Sequence, residues 1–212
     1  MPLNLLIVDD HLIIRRGLAR ILQEDPRVGL VREAADAPAA LRALRQEPFD
    51  AMVLDVALGE RDGLDVLKTV RADHPALGVV MLSVYPESQF AVRALRAGAH
   101  AYLNKGCDPD ELLAALINAA AGRMYVTPTV AELLAHTVRQ DSTRPPHELL
   151  SNREFQVLQL LAAGKSVSAI GEQLALSVNT ISTYRARVFE KLGVRTLVEL
   201  VDYARAHHLG AR

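Results

Sequence analysis

Four short apolar runs of this chain stop at residues able to do chemistry. Leu5 to Val8 runs into Asp9 and Asp10, Ala51 to Leu54 ends in Asp55, Val79 to Leu82 ends in Ser83, and Ala101 to Leu103 leads to Lys105. Gathered at one place, three carboxylates repel one another unless a cation compensates them. Hard oxygen ligands with one or two carboxylates and retained waters suit Mg²⁺. A carboxylate beside such an ion can attack a phosphorus centre and become an acyl phosphate. Lys105 would then neutralise one phosphoryl oxygen and Ser83 would hydrogen-bond another. Taken singly, each residue has an ordinary explanation: an Asp pair or strand-end Ser caps a turn, and a Lys is solvated. Their joint placement is what makes a site.

The four groups meet only if the runs are strands of one parallel sheet, whose carboxyl edge collects the residues that end each strand. The pattern supports this. A fifth run, Val28 to Val31, joins the others, and in chain order the second to fourth (Val28 to Val31, Ala51 to Leu54 and Val79 to Leu82) are β-branched or continuously apolar, as strands buried on both faces should be. Between them lie helical spacings, such as Leu12, Leu18, Ile21 and Leu22. Asp36-Ala37-Pro38 and Asp108-Pro109-Asp110-Glu111 each offer an Asp N-cap followed by an early Pro, and Gly122 is a C-terminal stop. Five β-α units within about 120 residues predict a doubly wound, flavodoxin-like parallel sheet over residues 1–122.

Residues 123–147 read as a linker. It holds a short helical piece, Val130 to Arg139, and then Asp141-Ser-Thr-Arg-Pro-Pro-His147, whose Pro145-Pro146 pair cannot sit inside a helix. The remainder, 148–212, is patterned for four helices. Ser151-Asn-Arg-Glu154 and Thr196-Leu-Val-Glu199 are capping boxes. The first helix places Phe155, Leu158 and Leu161 inward and stops at Gly164. The second runs from about Val167 to Ala175 around Ile170 and Leu174, the third from Val178 to Leu192 around Ile181, Val188 and Leu192, and the last carries Leu197, Leu200, Val201 and Ala204. A tight turn between the second and third, with Ser177 as cap, forms a helix-turn-helix. The outer face of the third then offers Asn179, Ser182, Thr183, Ala186, Arg187 and Glu190 to a groove. Arg185, Arg187 and Lys191 add positive charge for phosphates.

Bulk properties bound the alternatives. At 212 residues with 50% hydrophobic and 23% charged residues, the chain has room for two small globular domains. Its net charge of −1 divides unevenly: 8 Lys/Arg against 6 Asp/Glu from Glu148 onward, 16 against 19 before it. That asymmetry points toward nucleic acid in the second half, but weakly. One cysteine, Cys107, and no stretch suited to a signal peptide or membrane span predict a cytoplasmic protein.

Asp9-Asp10, Asp55 with Gly63 eight residues later, Ser83 and Lys105 resemble the receiver domain of two-component response regulators. Leu150-Ser-Asn-Arg-Glu154, Gly164-Lys165-Ser166, Ile170, Leu176-Ser177, Asn179-Thr180-Ile181 and Lys191-Leu192 resemble the four-helix output domain of LuxR/NarL-type regulators. The first resemblance implies that Asp55 accepts a phosphoryl group from a sensor histidine kinase. Asp10, Asp55 and the Ala57 carbonyl would hold Mg²⁺, Asp9 would act through water, and Ser83 and Tyr102 would be the switch positions. The second implies binding to double-stranded DNA half-sites as a homodimer, its last helix a dimer contact, and RNA polymerase as a further partner. Lys165, Ser177, Asn179, Thr180, Ser182, Thr183, Arg185, Ala186, Arg187 and Lys191 are the expected DNA-contacting set. Phosphorylation is expected to draw Lys105 and Ser83 toward the phosphoryl group and Tyr102 inward, freeing the recognition helix or favouring dimerisation. The chain departs from the usual pattern at Gly59 and Gly106, where Pro is common, which weakens the expectation of a cis peptide after Lys105. It departs also at Ser182 and Tyr184, which bear on the DNA sequence read.

Two rivals differ in class. An aspartate-nucleophile phosphatase would use the same pocket, but needs a second carboxylate two residues past the nucleophile, where Ala57 stands. A protein adaptor would use the helical half as a solvated, charged docking face. Of the remaining candidates, His11 follows the acidic pair directly and could touch the phosphoryl region, though a helix surface is the expectation; Cys107 is expected in a loop without a redox partner, and His207-His208 at a solvated end.

Overall fold

A computed structural model of the chain describes residues 2–59, 61–139, 145–207 and 209. Two compact units divide it, Met1–Arg139 and Gln140–Arg212.

In the first unit, β1 (Leu3–Val8), β2 (Val28–Ala34), β3 (Ala51–Asp55), β6 (Gly78–Ser83) and β7 (Ala101–Asn104) form one sheet in the order β2-β1-β3-β6-β7. Every neighbouring pair is parallel. The chain order reverses between β1 and β3, which makes the carboxyl edge there the place for a site. The three central strands are nearly devoid of solvent contact from Leu5 to Ser83. Helices α1 (Leu12–Gln23) and α5 (Pro109–Ala120) cover one face, while α2 (Ala37–Gln46) and α3 (Gly63–Asp73) pack together on the other. Helix α4 (Glu87–Arg96) lies along β7. Asp36 and Asp108 cap α2 and α5 as expected, accepting the amides of Ala39 and Asp110.

Two expectations change, and two features that the sequence left open are seen. Val28 to Val31 is not buried on both faces: β2 is an edge strand in which Val28, Val31 and Ala34 are buried and the residues between are not. Helix α1 turns Arg15, Ala19 and Leu22 inward, leaving Leu12 and Ile21 exposed. A small antiparallel hairpin, β4 (Ala57–Leu58) with β5 (Arg61–Asp62), follows Asp55 where no strand was expected. No described peptide bond is cis, that after Lys105 included.

Helix α6 (Pro128–Arg139) falls in the stretch read as linker, yet it packs on α4 within the first unit. Thr127 caps it at Val130 N and donates to the Glu87 carboxylate at 2.9 Å, and Val130 is buried. Residues 140–144 of that linker lie outside the described residues.

The second unit holds α7 (Asn152–Ala162), α8 (Val167–Leu174), α9 (Val178–Leu192) and α10 (Leu197–Ala206), preceded by a 3₁₀ turn at Pro146–Leu149. The capping box at Ser151 and Glu154 is complete. At Thr196 the arrangement differs: Thr196 accepts the Glu199 amide, but the Glu199 carboxylate takes Arg195 N at 2.7 Å. Helix α9 packs on α7 and α8 around Ile170, Ile181, Val188 and Leu192, and α10 closes on α7 through Leu200 and Ala204. Of the apolar residues read on the last helix, Leu197 is exposed.

Candidate functional site

Strand register brings the site together. Leu54 stands opposite Val8, so Asp55 and Asp9 are the next pair along. Asp55 is opposite Leu82, which puts Ser83 one residue beyond it, and Ser83 is opposite Asn104, immediately before Lys105. The Lys105 amide donates to the Ser83 carbonyl at 2.7 Å and fixes the turn.

Lys105 Nζ lies 2.6 Å from Asp55 Oδ2 and 2.6 Å from Asp9 Oδ2. All three side chains are at least nine-tenths buried. Asp10 is more open, and its Oδ2 accepts Gly59 N at 3.0 Å. Burial pushes the Asp55 carboxyl up to about 6 even though Lys105 pulls the other way. The Lys105 ammonium is held above its ordinary range by the two carboxylates, against the pull of its own burial. Asp9 and Asp55 thus share one ammonium with Asp10 close by, and the Ala57 amide donates to Asp55 Oδ1 at 3.2 Å. Such an oxygen-rich, net negative donor set fits a hard divalent cation.

Gly63 sets how closely the chain returns to Asp55. A Cβ there would fall 1.9 Å from the Asp55 carbonyl oxygen, so only glycine allows the Gly63 amide to reach Val56 O at 2.9 Å. Ser83 is fully buried, with its Oγ accepting Tyr85 N at 3.2 Å. Tyr102 is already inside, 1% exposed, with its hydroxyl donating to Tyr85 O at 2.9 Å. Burial raises the Tyr102 phenol well above its ordinary range.

Two participants, Arg15 and Tyr85, escape sequence reading, while a third, His11, is read there with a contact to the phosphoryl region as the second choice after a helix surface. His11, expected on a helix surface, has Nδ1 2.7 Å from Asp10 Oδ1 and 3.3 Å from Asp9 Oδ1. Buried Arg15 donates from Nη1 to Asp9 O at 2.6 Å and pairs with Glu33. Tyr85 gathers the bonds from Ser83 and Tyr102. Of the two that escape, only Arg15 left a trace, by standing at helical spacing before Ala19 and Leu22. Cys107 is half-buried, and burial pushes its thiol up to about 11, far from a reactive thiolate. His207 is not a loose end: its ring lies 4.3 Å from Tyr203 and 5.1 Å from His147, while His208 lies outside the described residues.

In the second unit the turn between α8 and α9 is tight. Leu176 N donates to Gly171 O at 2.8 Å, and a Cβ at Gly171 would meet Leu176 O at 2.7 Å. Ser177 caps α9 by accepting Thr180 N at 3.1 Å. Asn179, Ser182, Thr183, Arg185, Ala186 and Arg187 are exposed along one side of α9. The Ser182 and Thr183 hydroxyls rest on the carbonyls of Val178 and Asn179, and Arg185 stacks over Phe189 at 5.1 Å. Two expected DNA contacts are engaged elsewhere in the unit: Lys191 Nζ pairs with Glu154 at 2.6 Å, and Lys165 with Gln173.

An acidic, lysine-bridged carboxyl edge on a five-stranded parallel sheet, followed by a helix-turn-helix unit, defines a phosphoacceptor-type domain joined to a nucleic-acid-binding type. Comparison with known proteins agrees. Residues 5–117 match the response regulator receiver domain and residues 148–204 the bacterial regulatory proteins of the luxR family. The chain is 32% identical to the response regulator UvrY of Escherichia coli K12, over 98% of this chain and 95% of that one. It is 33% identical to the response regulator GacA of Pseudomonas viridiflava, over 97% and 96%. A solved complex of the response regulator RcsB with DNA is 25% identical, with a TM-score of 0.60, covering 97% of this chain and 99% of that one. The protein belongs to the two-component response regulators, with a receiver domain and a LuxR-type DNA-binding domain.

Proposed function

We propose that Asp55 is the phosphoacceptor and that its phosphorylation by a sensor histidine kinase raises the affinity of the second unit for promoter DNA. The observation that carries this is the Lys105 ammonium bridging Asp55 and Asp9 at 2.6 Å each on the carboxyl edge. An Asp55 carboxylate oxygen attacks the phosphorus of a phosphohistidine, the new P–O bond forming as the P–N bond breaks and the imidazole leaves. Lys105 holds one phosphoryl oxygen, and the Ser83 hydroxyl turns from Tyr85 N to donate to another. Asp10, Asp55 and the Ala57 carbonyl, with Asp9 nearby, would hold Mg²⁺, which when bound would neutralise charge on the phosphoryl oxygens.

Phosphorylation adds about −1.5 to −2 charges. Tyr102 already occupies the inner position, so the movable part is the turn carrying Ser83 and Tyr85. Its rearrangement shifts a two-state equilibrium toward a dimer that sets two copies of α9 in successive major grooves. Arg185 and Arg187 take phosphates, and Asn179, Thr180, Ser182, Thr183 and Ala186 meet base edges, with Ser177 and Lys165 at the backbone near the helix start. The division of domains is 1–122, 123–147 and 148–212, with α6 carried by the receiver side of the middle segment. Its site of action is the cytoplasm, on promoter DNA with RNA polymerase as a further partner; among the described residues no helix is long and apolar enough to cross a membrane.

Mobility shift with genomic fragments, with and without acetyl phosphate, tests this. Tighter binding after phosphorylation, absent in Asp55→Asn, is expected; equal binding in all samples would refute control by Asp55.

A further inference from the structure

We infer that His100 is a proton-sensitive latch at the amino edge of the first unit's sheet: its neutral ring holds the chain between α5 and α6 in place, and protonation of that ring releases it. This edge lies at the starts of β6 and β7, opposite the one that carries Asp55, and the latch acts without phosphorylation.

Three hydrogen bonds meet at His100. Pairing of β6 with β7 begins at Val80 and Ala101. One residue earlier, the His100 amide donates to Val79 O at 2.7 Å, and the Val79 amide donates to the His100 ring at Nδ1, 3.1 Å away. The side chain thus extends the ladder by one bond. Val79 is fully buried, so its amide has no water to turn to. The third bond runs outward: Tyr125 N donates to His100 O at 2.9 Å and fastens the chain that leaves α5. Two residues on, Thr127 caps α6 and bonds Glu87.

This arrangement demands a neutral imidazole. A ring nitrogen that accepts an N–H bond carries no proton itself, so the ring hydrogen resides on Nε2. Protonation would set a ring N–H against the Val79 N–H, two donors with no acceptor between them. Of the charged groups on the elements packed there, Arg71 on α3 is the one that bears on the ring, and it is a like charge. Its guanidinium is held there by donating to Leu77 O at 2.9 Å. Arg93 and Arg96 in the last turn of α4 are cationic as well. The carboxylates are committed elsewhere: Asp50, ahead of β3, accepts Asn4 N at 2.7 Å, and Glu111 on α5 meets the Tyr125 hydroxyl at 3.5 Å. Burial and Arg71 together hold the imidazole below its ordinary range.

The direction in pH follows. Once the latch is open, the ring takes up a proton at about pH 6.5, whereas the latched ring takes it up only at lower pH. The latch therefore weakens as pH falls from about 6.5 through the lowered native value. At about pH 5.5 the open form gains by up to about tenfold over its share at neutral pH. Acid would loosen the chain into α6, and with it the seat of α6 on α4, as an input separate from Asp55.

Amide exchange followed by NMR on the full chain, without Mg²⁺ or phosphodonor, tests this against His100→Asn. The asparagine oxygen can accept the Val79 amide in place of Nδ1 but does not titrate. Between about pH 7.5 and about pH 5.5, protection of the Val79 and Tyr125 amides is expected to fall several-fold, up to about tenfold, more in the unaltered chain than in the variant. Equal losses in both would overturn the inference, as would loss at Val79 with Tyr125 unchanged. The ring supplies a second reading that needs no variant. Its nitrogen chemical shifts should show the Nε2–H tautomer and a titration midpoint below about 6.5. An Nδ1–H tautomer, or a midpoint at or above that value, would overturn the latch even if His100→Asn fails to fold.

Discussion

Lys105 and Asp55, fifty residues apart in sequence, are held 2.6 Å apart inside the first unit, and the same ammonium also reaches Asp9. One cation therefore compensates two buried anions. Replacing Lys105 with Met should leave both carboxylates facing each other without it. Breaking a buried pair in this way costs about 3–5 kcal/mol. Urea denaturation should show the loss in Mg²⁺-free buffer and a partial recovery when Mg²⁺ is added.

Asp55 itself should oppose folding when ionised. Its carboxyl is raised by burial from 3.8 to about 6, so between those values the native state holds more protons than the unfolded chain. Stability then falls as pH rises through that window. In Mg²⁺-free buffer, Asp55→Asn should lose less stability than the unaltered chain as pH rises from about 4 to about 7. Denaturation curves of both proteins across that range check the sign.

Gly63→Ala should damage the site without touching a charged group. The added Cβ would lie 1.9 Å from the Asp55 carbonyl oxygen, so the backbone carrying the carboxylate must shift. Overpacking against backbone costs about 1–3 kcal/mol. Labelling by acetyl phosphate should slow by a larger factor than the stability loss explains.

The two kinds of basic residue on α9 should separate by salt dependence. Arg187 is exposed and free to meet phosphate, so Arg187→Ala should weaken binding across DNA sequences and lower the salt slope by about one. Lys191 is tied to Glu154, whose carboxyl it helps to hold below its ordinary range despite burial. Lys191→Met should instead lower the stability of the second unit and leave the slope nearly unchanged. Fluorescence anisotropy at several salt concentrations distinguishes the two.

Much of this was legible in the chain. Strand ends carried Asp9, Asp10, Asp55, Ser83 and Lys105 because a parallel sheet forces each strand to terminate at the same edge, and the Asp caps of α2 and α5 are local chemistry. What escaped was decided by long-range packing. Arg15, Ala19 and Leu22 form the inward face of α1, but its first member is charged, so counting apolar residues found Leu22 and the partly buried Leu18 and added the exposed Leu12 and Ile21. Its pairing with Asp9 O and Glu33 needs β1 and β2 side by side. The β4–β5 hairpin has two residues per strand, too few for any period to show. The packing of α6 on α4 depends on Val130 and on Thr127 finding Glu87 forty residues away.

The most direct measurement is the intact mass of the full chain, and of its Asp55→Asn variant, after incubation with Mg²⁺ and acetyl phosphate. One added phosphoryl group on the unaltered chain, labile to hydroxylamine and absent from the variant, is the predicted result. An unmodified chain, or a variant labelled to the same extent, would contradict the assignment of Asp55.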